Sequence, residues 1–360
     1  MSILQPQLQT SNNRITIGGD FALDWNGLCE TNTDLSLFAT GRAALAAILI
    51  NESSCVGDWL VPDYICPVVP QTLSEGGARP KPYHWHTPWM PDLSQLDRLL
   101  DHAAGIIIPF YMGLAPASQL WELLSNRSLV VIEDRCQCVG SFPAPNDLQG
   151  SYAIGSFRKW MPTPDGAYCV KRDGAAPLPI GSPDTKLVLA RMAAALVKQT
   201  RSLDLPLGVD RDVEQAYIEL FRLGETWSEF PVKPKPASSV AGYLIRNANF
   251  DMICARRIAN QTWLAKHLAA KDEVRILEPE PGLLEKQNVP LLAMPVTCSD
   301  REAIRRRLAS QNIYCPMHWV DGDWTGLGGV AADLAESVLS IPIDQRYELE
   351  DLQRIVEVLE

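Results

Sequence analysis

Four short segments carry side chains able to do chemistry. In Thr40-Gly41-Arg42, a threonine and a glycine open the alanine-rich run TGRAALAAILI. The free N–H groups and positive dipole end of a starting helix favour an anion, and glycine permits close approach. The same residues also make an ordinary helix cap. Asp134 and Gln137 follow the apolar run SLVVIE. A carboxylate ending a buried strand is desolvated and needs a cation or donors; Arg135 is one candidate, a ligand cation another. Gln137, three residues on, faces the same ligand if the chain turns helical. Lys159 closes SYAIGSFRK, and Lys81 is the only lysine before it. A neighbouring cation and partial burial favour the neutral amine that attacks carbonyls; the competing reading is a solvated surface lysine. The fourth segment, IYCPMHW, holds His318, a substrate contact or a half-buried histidine.

The elements that must position these groups alternate along the chain. The spacing predicts helices over 40–50, 67–76 and 117–125, and strands over 59–62, 105–110, 128–133, 151–156 and 167–171. The strand runs are apolar throughout, as in parallel strands covered on both faces. Repeated strand–helix units build an open, mostly parallel sheet with helices on both sides, and ligands bind beyond the carboxyl ends of such strands. The prolines and lysines of PVKPKPASS, 231–239, read as an extended linker. Beyond it the pattern gives one long helix over 240–269, strands at 273–278 and 290–297, and helices at 300–310 and 348–359. The expected organisation is a large α/β domain over 1–230 and a smaller C-terminal α+β domain over 231–360.

Composition excludes several classes. With 43 acidic and 32 basic side chains the formal charge is −11, which repels phosphate backbones, so nucleic acid is not an expected partner. No run of about 18 apolar residues predicts a membrane span, and the first residues lack a secretory pattern. Nine scattered cysteines fit a reducing, cytoplasmic setting better than a disulfide framework. GxGxxG after a strand, GxxxxGK[ST], HExxH and GxSxG are all missing. Cys136-x-Cys138 lacks a second ligand pair at zinc spacing, so no metal is expected. His84 and His86, as alternating residues, would share one strand face, but without a third ligand they read as surface or cleft residues.

An anion cradle, a strand-end Asp with Gln three later, and a lysine 25 residues after that Asp form an ordered set that points to pyridoxal phosphate. That cofactor needs an amine for its aldehyde, a carboxylate for its ring nitrogen and donors for its phosphate. On these residues the chain resembles the DegT/DnrJ/EryC1/StrS sugar aminotransferases of the fold-type I class. The resemblance runs through FATGRAALAAIL, WLVPDYICPVVPQTLSEGGARP, IIIPFYMGLAPASQLWELL, LVVIEDRCQCVGS, SFRKWMPTPDGAYCV and IYCPMHW.

The resemblance implies Lys159 as the Schiff-base lysine and proton carrier, Asp134 on the pyridinium nitrogen and Gln137 on the phenolic oxygen. It implies Thr40, Gly41 and Ser156 on the phosphate. Cys66 stands where the family often stacks an aromatic ring, a part Tyr64 could take, and Arg42 replaces a small hydroxyl residue and could pair with the phosphate. His318 is the candidate substrate contact. The resemblance also implies a homodimer, an amino-acid donor (glutamate or glutamine) and a keto acceptor, a nucleotide-linked sugar or another natural-product ketone. A lyase or dehydratase with the same cofactor is the alternative; such relatives replace the lysine by histidine. A non-catalytic binder on the same fold is a third reading. The family's Asn-x-Arg-Met interface motif is missing, with PASSVAGYLIRN in its place.

Overall fold

The computed structural model describes residues 17–19, 21, 36–52, 56–140, 142–202, 211–227, 232–269, 271–286, 288–320 and 324–359. Its centre is a seven-stranded sheet: β1 (Leu37–Phe38), β2 (Asp58–Pro62), β3 (Arg79–Tyr83), β4 (Ala103–Pro109), β5 (Val130–Asp134), β6 (Tyr152–Ser156) and β7 (Ala167–Lys171), in the order β1-β7-β6-β5-β4-β2-β3. From β6 to β3 all neighbours are parallel, and β7 runs antiparallel to both β6 and β1.

The strands are apolar throughout because both faces are covered. Side chains alternate across a strand. Trp59, Val61 and Ile107 therefore enter one core with Ala44, Leu45, Ala47 and Ile48 of α1 (Gly41–Asn51) and Val69 and Leu73 of α2 (Val68–Glu75). Leu60, Ile106 and Ile108 enter the other, with Leu96 of α3 (Leu93–Leu100) and Leu120, Trp121 and Leu124 of α4 (Ser118–Leu124). Every residue from Ala43 to Leu49 is buried, and the small alanines let α1 lie close on the sheet. Thr40 starts this helix, its hydroxyl accepting from Ala43 N at 3.1 Å, a cap that contributes about 1 kcal/mol.

A smaller antiparallel sheet, β8 (Val274–Ile276), β9 (Met294–Cys298) and β10 (Val338–Ile341), lies in the C-terminal part with β9 central. Val274, Met294, Val296, Leu339 and Ile341 form its core with helices over Arg301–Ser310 and Leu349–Val358.

Three expectations change. Two helices lie where no element was assigned, α5 (Thr185–Ser202) and α6 (Arg211–Trp227); they follow β7 and pack on each other through Ala194, Tyr217 and Phe221. The single helix expected over 240–269 is two, α7 (Ser239–Arg246) and α8 (Phe250–Leu268). Asparagine makes the break, since Asn249 Oδ1 accepts from Met252 N and caps α8. The Pro-Lys segment is extended but not free: Ala39 N donates to Lys235 O, Ala237 N donates to Leu37 O, and Phe38 bridges Pro236. α7 then packs Ala241, Leu244 and Ile245 against Phe157, Trp160 and Tyr168 beside the large sheet.

Candidate active site

The parallel strands β2, β4, β5 and β6 all end on one edge, and the segments that follow them make the site. After β2 come Tyr64 and the half-buried Cys66; after β4, Tyr111 and Met112; after β5, Cys136 and Gln137; after β6, Lys159 in a 3-10 turn, Phe157–Lys159. The N-terminus of α1 closes the edge, where a Cβ on Gly41 would come 2.9 Å from Cys136 Sγ. A side chain at Gly41 would therefore force Cys136 to shift.

Alternation separates Glu133 from Asp134. Glu133 is fully buried and satisfied by Gln149 N (2.8 Å), Gly150 N (2.7 Å) and the guanidinium of Arg135 (2.6 Å). Arg135 therefore belongs to Glu133, and among the described residues Asp134 is in no ion pair; its Oδ1 accepts from Cys136 N at 3.0 Å. Gln137 is 4% exposed, and its Oε1 accepts from Met112 N at 2.7 Å. Because that backbone group can only donate, the amide is oriented with Nε2 as its remaining donor. Gln137 Nε2 is buried without a hydrogen-bond partner. Leaving such a donor unpaired costs about 1–3 kcal/mol, a cost that a bound acceptor removes.

Lys159 is exposed, and its charge reaches both Cys136 and His318. Burial, then Asp134, holds the Cys136 thiol well above the ordinary range. His318 comes to this edge from the C-terminal part: its carbonyl accepts from Tyr64 Oη at 3.0 Å, and the Tyr64 ring meets Trp319 edge-on at 4.9 Å. The Tyr64 hydroxyl is raised by burial, and its ring is committed to joining Trp319 to Tyr111.

Burial, and then Lys159, push the His318 imidazole down to about 4. The unfolded chain therefore takes up this proton first on acidification. Its stabilising contribution is complete above about pH 6.5 and is lost as pH falls toward 4. The unfolding midpoint of the wild-type protein should fall more steeply over that window than that of His318→Gln. Equal slopes would place His318 in water.

Arg42 does not face the edge alone. Its guanidinium lies 3.9 Å from Glu225 of α6, a carboxylate also held by Arg158 and, at 2.6 Å, by Arg191. Burial lowers the Arg42 pKa and Glu225 opposes that shift. Ser156 is buried at the end of β6, and its hydroxyl makes no hydrogen bond among the described residues. His84 is half-buried and His86 exposed, in keeping with surface or cleft residues. His84 precedes the strand Trp85–Thr87 and bonds buried Asp63 through Nδ1 at 2.8 Å, while exposed His86 lies 3.9 Å from Asp92. Sequence reasoning missed Cys136 and Met112. Met112 has no local signal, since its φ of 56° is unusual for a side chain of that kind.

No family model and no curated protein matches the chain. Solved structures do. DesV from S. venezuelae shares 17% identity over 92% of this chain and 85% of that one, with a TM-score of 0.60. A DegT DnrJ EryC1 StrS aminotransferase from Brucella abortus shares 15% over 90% and 84%, at 0.62. GDP-4-keto-6-deoxymannose-3-dehydratase, solved with a trapped PLP-glutamate geminal diamine, shares 14% over 90% and 87%, at 0.61. The fold is that of the fold-type I aminotransferases, with a mostly parallel large sheet and a smaller C-terminal α+β part. The residues at its strand edge fit pyridoxal phosphate: an orphaned buried amide donor, a carboxylate free of ion pairs and a lysine meet there.

Proposed function

We propose that the protein is a pyridoxal phosphate-dependent aminotransferase that moves an amino group from an amino acid, glutamate or glutamine, to the keto group of a nucleotide-linked sugar or related natural-product ketone. The observation that carries this reading is the buried, unpaired Gln137 Nε2 in the segment that follows Asp134. Lys159, whose charge reaches Cys136 next to that carboxylate, completes the set. Bound there, the cofactor supplies an aldehyde for amines and a protonated ring that withdraws electrons. Asp134 holds the ring-nitrogen proton through opposite charge. Gln137 Nε2 donates to the ring oxygen, and Thr40, Gly41, Arg42 and Ser156 take the phosphate side at the start of α1. Cys66, or Tyr64, would take the ring face. Lys159 Nζ would hold the aldehyde and would move the proton at the substrate carbon. His318 Nδ1 and Nε2, neutral at pH 7, offer the substrate both a donor and an acceptor.

The same reading carries a cytoplasmic homodimer. Free thiols at all seven described cysteines support the reducing compartment, and exposed Leu189, Leu196 and Ile218 on α5 and α6 support an apolar contact between copies.

Purified protein given pyridoxal phosphate should show a visible absorbance band. Borohydride should remove it and leave the cofactor mass on the peptide that holds Lys159. Glutamate or glutamine should convert the band to the amine form. A colourless protein that takes up no cofactor rejects the reading; a band indifferent to every amino acid leaves the cofactor and rejects transamination.

A further inference from the structure

A buried cation of the C-terminal part is hydrogen-bonded toward both ends of the cofactor edge. Arg257 of α8 is 1% exposed and forms no ion pair among the described residues. Its Nη1 donates to Leu291 O (3.1 Å) and Leu292 O (2.8 Å), and its Nε donates to Gln345 Oε1 (2.9 Å).

Both routes lead to the site. Leu292 N donates to Met112 O at 3.1 Å, and Met112 N donates to Gln137 Oε1 at 2.7 Å. In the other direction Gln345 Nε2 donates at 2.9 Å to the carbonyl of Trp160, the residue after Lys159. Met112, at φ 56°, has both backbone groups spent in this circuit; a left-handed non-glycine residue persists only where its surroundings over-determine it. The donor-only guanidinium also settles the Gln345 amide: its oxygen must face Arg257, so its nitrogen must face Trp160.

We propose that Arg257 is a positioning residue that sets both cofactor-facing groups at once. Through Leu292 and Met112 it fixes Gln137 with Nε2 toward the ring oxygen, and through Gln345 it fixes the turn that carries Lys159. The proposal rests on the aminotransferase reading. It differs from a general packing role in one respect: disturbing the Gln345 end must be felt at the Gln137 end.

The test is a double-mutant cycle on the full chain, with Gln345→Leu, Gln137→Leu and their combination titrated with pyridoxal phosphate by visible absorbance. Unfolding of the cofactor-free proteins is measured in parallel. Partners that orient a primary ligand typically change affinity by about 10–100-fold, so each single variant should bind about tenfold more weakly. The double variant should lose clearly less than the product of the two. The pH at which the visible band interconverts should also move in Gln345→Leu, a response that loss of packing alone would not produce. Gln345→Glu, which keeps the acceptor for Arg257 and removes the donor to Trp160, carries the same measurement if the leucine variant does not fold. Strictly multiplicative losses, or an unmoved band in a folded Gln345 variant, overturn the proposal. A wild-type protein with no band at all overturns the aminotransferase reading instead.

Discussion

Lys159→Ala protein folds, binds no reducible cofactor and loses at least about 1,000-fold in transamination rate. General acid–base catalysis by one positioned group contributes about 10²–10⁴-fold, and Lys159 also loses its covalent hold on the aldehyde. The substitution removes an exposed side chain, so its effect on stability should stay within about 0.5 kcal/mol. That contrast makes the result interpretable. Borohydride followed by peptide mass analysis should find cofactor on Lys159 in the wild-type protein and on no peptide in the variant. Cofactor fixed elsewhere, with turnover retained, would move the chemistry to another amine.

Asp134→Asn should keep most of its cofactor and lose about 100- to 1,000-fold in turnover. The amide still accepts from Cys136 N as the carboxylate does, and the backbone bond from Phe110 N to Asp134 O is untouched, so the loop after β5 survives. What goes is the negative charge. An adjacent carboxylate shifts the pKa of a cationic partner by about 1–3 units, and each tenfold in rate corresponds to about 1.4 kcal/mol of barrier. Without that charge the ring nitrogen is poorly protonated and the proton leaves the donor carbon slowly. Single-turnover absorbance with glutamate reads this step directly; a normal rate would remove Asp134 from the ring. Because Arg135 is engaged by buried Glu133, Arg135→Met should unsettle β5 and leave the cofactor band unshifted, which separates the two neighbouring acids.

The groups along the strand edge were legible because each sits at the end of an apolar run. SLVVIE ends at Asp134, SYAIGS ends just before the turn of Lys159, and Thr40 precedes a helix within a residue of the expected start. Those signals are local. α5 and α6 fell outside the segments assigned to elements, although Val213, Tyr217, Leu220 and Phe221 recur at helical spacing; that face is buried mainly by the other helix of the pair. The break at Asn247–Asn249 was hidden for a related reason: asparagine caps a helix only where the chain turns, and it turns here because α7 packs beside the large sheet while α8 joins the C-terminal core.

By itself the amino-acid order determined which residues could form a pyridoxal phosphate set and that strands and helices would present them at one edge of a parallel sheet. Strand order, the lack of an ion pair at Asp134 among the described residues, the orientation of Gln137 and the arrival of His318 near Lys159 and of Gln345 at Trp160 were decided only by tertiary structure. The physical reason is distance along the chain. Periodicity and caps act over a few residues, whereas Gln345 and Trp160 lie 185 positions apart, and their hydrogen bond exists only once two separate cores have packed together.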